Sequence, residues 1–241
     1  MPLPSSFIAH LRAGPYHPRS DKHGVALAEA IVVDLVAACK PIAVAASNGK
    51  VVWDTNFDLI YGTATWNADL VIGDPPPGTA PPEDGVIRQT APSSVQIAIE
   101  IKGVMTEHRK AIKNRKRDLE SHHSHVHAYN SQTIAGGVIV VNSAERFKSP
   151  LRRDDDITIH KNPDTLVGHC MAEAKAISVR GGPTGAGLDA KCVIVVDDDN
   201  IDFAAAAYRE SPPAPQIGDP LHYDAFIQRL CSEWTSRFGA G

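Results

Sequence analysis

The sequence predicts an α/β fold: a single domain with a central mixed β-sheet flanked by helices. Three observations carry that expectation. Apolar runs at 95–103, 136–142 and 191–197 have strand length and strand composition. Segments with helical spacing stand around them, at 22–39, 105–129, 164–179 and 222–238. No internal repeat or domain-sized shift in composition divides the 241 residues, a length that suits one full α/β core.

Taken in order, a Pro-rich opening segment leads to residues 22–39 (KHGVALAEAIVVDLVAAC), which are almost all apolar or small. They read as a largely buried helix ended by Pro41, with Glu29 and Asp34 as its polar exceptions. Residues 42–53 alternate around Asn48-Gly49, a pair that favours a two-residue hairpin turn. WNADLVIG at 66–73 reads as a strand. The DPPPGTAPPEDG that follows must be a loop, because its five prolines cannot feed a sheet ladder.

In VQIAIEIKG (95–103), Val95, Ile97, Ile99 and Ile101 take one face. Gln96, Ala98, Glu100 and Lys102 take the other, where Gln96 reads as a solvated residue in preference to one that positions a phosphate or water. Next comes a helix over about 105–129 whose apolar anchors Met105, Ile112, Leu119 and Val126 recur every seven residues. GGVIVVN (136–142) and KCVIVVD (191–197) lack alternation, as expected of strands covered on both sides. Helices at 164–179 and 222–238 complete the set. Gly-rich 181–187 and Pro-rich 211–220 are loops.

Composition narrows the function classes. Lys+Arg 24 against Asp+Glu 28 leaves a net charge of -4, which argues against a uniformly basic nucleic-acid binder but not against a local basic face. No run approaches the ~20 apolar residues of a membrane span, and the N-terminus lacks the pattern of a secretory leader. Cys39, Cys170, Cys192 and Cys231 are widely spaced, so isolated buried thiols in a reducing cytoplasm are expected. A GxSxG elbow and a P-loop are both missing.

Glu100-Ile101-Lys102 is the most informative feature. On a strand, residues i and i+2 point to the same side, so the acid and the amine project together. Glu173-Ala174-Lys175 has the same spacing in a helical context, where i and i+2 diverge by roughly 200° and cannot converge. The strand context therefore carries the signal. A second acid, Asp69, lies 31 positions earlier on the preceding strand. Asp74 reads as a turn residue and Asp58 as too early for that strand.

This pattern resembles the active site of the PD-(D/E)xK nuclease superfamily, which includes many restriction endonucleases. Ala68-Asp69 stands where that family often has Pro-Asp, and Glu100-Ile101-Lys102 stands at its acid-x-Lys. The order of elements over roughly 20–142 is similar to the family core, with 143–241 as an extension. The resemblance implies catalytic Asp69, Glu100 and Lys102. It implies Mg²⁺, for which Mn²⁺ could substitute, held by Asp69, Glu100 and the Ile101 carbonyl, with Glu29 on the first helix a candidate third carboxylate. It also implies double-stranded DNA as substrate and action as a homodimer, while the cytoplasmic setting is expected from the cysteine spacing and the N-terminal pattern. Two rivals remain open: an effector nuclease switched on by a ligand or by assembly, and a nucleic-acid-binding or interaction protein with a decayed site.

Between Glu107 and Arg117 stand six cations against one acid: Arg109, Lys110, Lys113, Arg115, Lys116 and Arg117. Arg109, Lys110, Lys113, Lys116 and Arg117 are expected to contact the phosphate backbone. His122, His123, His125 and His127 read as helix-end residues or a polar patch rather than a zinc site. Acidic runs at Asp154-Asp155-Asp156 and Asp197-Asp198-Asp199 complete the expectation of a positive cleft on an acidic body.

Overall fold

Strands with apolar side chains on both faces can be buried only between two layers of helices, and the chain folds accordingly. The computed structural model describes residues 3–83, 85–153, 155–182 and 184–239; Asp154 of the acidic run lies outside them. The elements are α1 (Ser5–Arg12), α2 (Lys22–Ala38), α3 (Lys40–Ser47), β1 (Val52–Tyr61), β2 (Ala64–Asp74), β3 (Arg88–Gln89), β4 (Ser94–Val104), α4 (His108–Tyr129), β5 (Ile134–Asn142), β6 (Arg146–Lys148), β7 (Ile157–Ile159), α5 (Pro163–Ala176), β8 (Ala190–Asp197), β9 (Ala207–Tyr208) and α6 (Tyr223–Phe238).

Seven strands form one mixed sheet in the order β3-β1-β2-β4-β5-β8-β9, and β6 pairs with β7 apart from it. β1, β2 and β4 are antiparallel neighbours, whereas β4, β5 and β8 run parallel. The parallel pairs need crossovers, which α4 and α5 supply. This is the single α/β domain with a mixed sheet that the sequence predicts. The 143–241 region is no appendage: β8 extends the main sheet, and α6 packs on β8, β5 and β4.

One core lies between the sheet and α1, α2, α3 and α6, with Leu27, Ile31, Leu35, Leu70, Ile72, Ile97, Ile99 and Phe226 among its buried residues. The other lies under α4 and α5, where Ile112, Leu119 and Val126 meet Ala98, Ala135 and Ile139. The seven-residue seam therefore holds for α4. Met105 precedes the helix and belongs to the opposite core.

Several expectations are corrected. Residues 40–47 form α3 rather than a hairpin arm. Pro41 sits in the first turn of that helix, where a missing N–H costs nothing. Asn48-Gly49 closes the helix: Gly49 has φ +66°, its N–H bonds Ala46 O, and Lys50 N–H bonds Ala45 O. α1 was hidden in the Pro-rich opening, although Phe7, Ile8 and Leu11 bury one face of it.

Gln96 is not a solvated residue of the polar face of β4. A register shift between Ile72 and Gly73 sends Val95 to the α4 core, and Gln96 is buried, donating to Asp74 Oδ1 and accepting from Trp234 Nε1, both at 2.7 Å. The cysteines are not all isolated thiols. Cys39 and Cys231 form a disulfide joining the α2–α3 junction to α6, while Cys170 and Cys192 are free and buried. No single described helix is long and apolar enough to cross a membrane.

Candidate active site

The ladder between β2 and β4 ends at Leu70–Ile99, and the next positions along it are Asp69 and Glu100. Beyond that point β4 stays with β5, pairing Glu100 with Gly137, Ile101 with Val138 and Lys102 with Ile139. Where two strands part, the backbone N–H groups on the open side need new acceptors. Asp69 provides one: its Oδ2 accepts from Ile101 N at 2.6 Å. The same oxygen lies 3.3 Å from Lys102 Nζ, and that ammonium also pairs with Glu100 Oε1. One cation thus bridges two carboxylates that are distant in sequence. The strand spacing predicted that Glu100 and Lys102 project together, and the parting of β2 and β4 brings Asp69 to them.

The three groups differ in burial, and that sets their chemistry. The side chains of Asp69 and Lys102 are 24% and 22% exposed, whereas that of Glu100 is 5% exposed. Burial, together with the charge on Asp69, pushes the Glu100 carboxyl up to about 7, against the opposing pull of Lys102. Burial alone would lower the Lys102 ammonium, but Glu100 and Asp69 hold it above its ordinary value.

Behind Glu100 stands a residue whose role the sequence did not reveal. His122 is fully buried; its Nε2 lies 3.2 Å from Ala98 O, and its Nδ1 accepts from Trp66 Nε1 at 3.1 Å. A carbonyl can only accept, so Nε2 carries the proton and Nδ1 is the unprotonated nitrogen that accepts from Trp66. Burial pushes this imidazole down to about 3, which keeps it neutral. Glu100 Oε2 faces that nitrogen at 3.5 Å and is a buried oxygen with no hydrogen-bond partner. The histidine cluster is therefore divided among structural tasks. His125 stacks on Trp66 with ring centroids 4.4 Å apart, and His127 Nε2 lies 3.4 Å from Asp189 Oδ2.

Asp69, Ile101 and Lys102 open onto a cleft of about 570 Å³. One wall comes from the start of α4, with Lys110, Ala111, Asn114 and Arg115; the other comes from residues 16–25 and the start of α2. Tyr16, missed from sequence, packs here. A Cβ on Gly103 would meet its hydroxyl at 2.7 Å, so glycine at 103 lets the ring lie against β4. Tyr16 is held by Asn200, which bonds both its N–H and its carbonyl, and stacks on His23 at 4.3 Å. Burial raises the Tyr16 hydroxyl and drops His23 to about 4.

Other expected residues disperse. Glu29 is exposed on α2 and is not in the cleft wall; the helix meets the cleft with Asp21, His23, Gly24 and Val25 instead. Asp74 binds Gln96 and Ser94, and Asp58 accepts from Asn67. Of the basic residues on α4, Lys110 lines the cleft together with Arg115. Lys113 and Arg117 are exposed and continue the stripe from Lys110 at i+3 and i+7, and Arg109 is exposed beside it. Lys116 turns away to pair with Glu173 of α5 at 3.6 Å. Glu173 and Lys175 diverge as their helical spacing requires, Lys175 lying 3.7 Å from Asp219. The acidic run at 197–199 is largely occupied in turns and pairs, with Asp198 accepting from Asn200 N and Asp199 paired with Arg146.

Asp69 and Glu100, with the backbone oxygen of Ile101, are the hard donors available at this site for a divalent cation. Among the described residues no group of three or more His, Cys, Asp or Glu side chains converges to hold a metal. The unpartnered Glu100 Oε2 and the single cation shared by two carboxylates suit a site that gains a further positive charge. The chain matches no family model, no curated protein and no solved structure.

Proposed function

We propose that the chain is a Mg²⁺-dependent endonuclease of the PD-(D/E)xK type that hydrolyses phosphodiester bonds of double-stranded DNA. The observation that carries this reading is the meeting of Asp69 with Glu100-Ile101-Lys102 where β2 and β4 part, beside a cleft lined by Lys110 and Arg115. Asp69, Glu100 and the Ile101 carbonyl would hold Mg²⁺ or Mn²⁺. Such an ion, when bound, lowers the pKa of a coordinated water and neutralises charge on the scissile phosphate.

The chain's own residues do the rest. Asp69 is anchored by the Ile101 N–H, so its carboxylate is fixed before substrate arrives. Lys102, charged at neutral pH, orients the attacking water and stabilises negative charge developing on the phosphate. Lys110 and Arg115, with the exposed Arg109, Lys113 and Arg117 beyond them, receive the phosphate backbone without reading its sequence. The chain is proposed to act as a homodimer, since a two-fold DNA site calls for two-fold protein.

The direct test is incubation of plasmid and mixed genomic DNA with purified protein, with Mg²⁺ or Mn²⁺ and with EDTA. Metal-dependent cutting that Lys102→Ala and Asp69→Asn abolish supports the reading. Discrete fragments without any added ligand favour a restriction-type enzyme over a switched effector. A wild-type chain that never cuts, or variants that cut as well as wild type, overturns it. A second readout is independent of activity: millimolar Mg²⁺ should raise the thermal midpoint of wild type at pH 8 but not that of Glu100→Gln.

A further inference from the structure

The β1–β2 ladder is continuous from Val52–Gly73 to Tyr61–Ala64 except at one position. Thr55 pairs with Leu70 and Phe57 with Ala68, but Asn56, which stands opposite Asp69 between them, drops out of the register. Its backbone is left-handed, with φ +52°, in the middle of a strand where no turn asks for it. Such a conformation is uncommon for a side-chain-bearing residue and persists where the surrounding structure imposes it, as at binding sites.

Two other non-glycine residues among those described are left-handed, one in the cleft wall and one buried behind it. Glu107, φ +49°, begins α4 in the cleft wall, and Asn200, φ +56°, holds Tyr16 in it. Asn200 has an internal reason: its side chain bonds Tyr16 and Lys148. Asn56 has none. It lines the cleft beside Asp69, it is exposed, and its amide makes no hydrogen bond among the described residues. Glycine would take this backbone at no cost, so the amide is what this position adds.

We infer that Asn56 is a substrate-positioning residue, with its side-chain amide donating to a non-bridging phosphate oxygen of the strand seated against Asp69. This rests on the nuclease reading above and extends it to a residue on β1. A neutral donor suits the position. A lysine there would pair with Asp69 and compete for the cation, whereas an amide binds phosphate oxygen and leaves the carboxylate free.

The test compares wild type with Asn56→Gly and Asn56→Asp. Both replacements accept a left-handed backbone, so thermal midpoints should stay close to wild type. Cleavage rates are measured over a range of plasmid concentrations with Mg²⁺, and binding of a mixed-sequence duplex is measured by anisotropy in EDTA. For Asn56→Gly, kcat/KM should fall about 10- to 100-fold, mainly through KM, as for a lost hydrogen bond to a charged group. Asn56→Asp should fall further through like-charge repulsion of phosphate.

If wild type cuts and Asn56→Gly cuts with the same kcat and KM, the assignment of Asn56 is overturned and the nuclease reading stands. If wild type binds duplex but never cuts, the nuclease reading fails, and an unchanged affinity in Asn56→Gly overturns the positioning role as well. If wild type neither cuts nor binds, both fall.

Discussion

Replacing Glu100 by Gln should stabilise the folded chain above about pH 7 and have much less effect near pH 4.5. In the fold, burial and the nearby Asp69 hold the Glu100 carboxyl at about 7, against an ordinary value of 4.5. The folded chain therefore retains a proton that the unfolded chain releases, and wild-type stability falls as the pH rises from about 4.5 to about 7. At ~1.4 kcal/mol per pH unit, that interval corresponds to ~3 kcal/mol at pH 8. Gln copies the protonated acid. Its carbonyl can face Lys102, and it places no charge in the buried position that Glu100 occupies. The assay is urea unfolding followed by tryptophan fluorescence, with EDTA present, at pH 5, 6, 7 and 8. Other titrating groups, such as Asp189, whose carboxyl its partners hold low, are common to both chains and cancel in the difference. The difference should grow in favour of Glu100→Gln from pH 5 to about pH 7 and level off by pH 8. A difference that is constant with pH would refute the burial argument for Glu100.

Three further outcomes follow from the same structure. Lys110→Ala should weaken duplex binding and lower the slope of log affinity against log salt by about 1, whereas Lys116→Ala should leave the slope unchanged because Lys116 pairs with Glu173 away from the cleft; anisotropy titrations in increasing NaCl decide it. Replacing Cys39 and Cys231 together by Ala should cost about 2–5 kcal/mol in urea unfolding, since the bond closes a loop spanning a sequence separation of 192, and the intact chain should gain about 2 Da on reduction. Gly73→Ala should cost about 4 kcal/mol or more in the same assay, because its Cβ would lie 1.8 Å from Ser94 O at the register shift between β2 and β4.

The legibility of the fold followed the strength of local periodicity. β4, β5, β8, α2, α4 and α6 all announce themselves through long apolar runs or a repeated seam, because burying such a pattern leaves few alternatives. α3 and β1 were misread because alternation over a few residues does not separate a short helix from a strand, and Pro41 can either end one helix or begin another. The pairing of Cys39 with Cys231 was invisible, since only packing of α6 against the α2–α3 junction brings them within a bond.

For the candidate site, the amino-acid sequence by itself determined which side chains project together on one strand: Glu100 and Lys102, by the two-residue period of extended chain. It also placed cations at the start of the following helix. Only the tertiary structure decided that β2 and β4 part just beyond Leu70–Ile99, so that Asp69 caps Ile101 and meets Lys102. It likewise decided that Glu29 stays outside the cleft while Asn56, Tyr16 and Arg115 enter it, and that His122 stands neutral behind Glu100. The physical reason is range. Period and propensity act over a few residues, whereas strand divergence, burial and the charge state of a buried acid depend on elements tens of residues apart packing against one another.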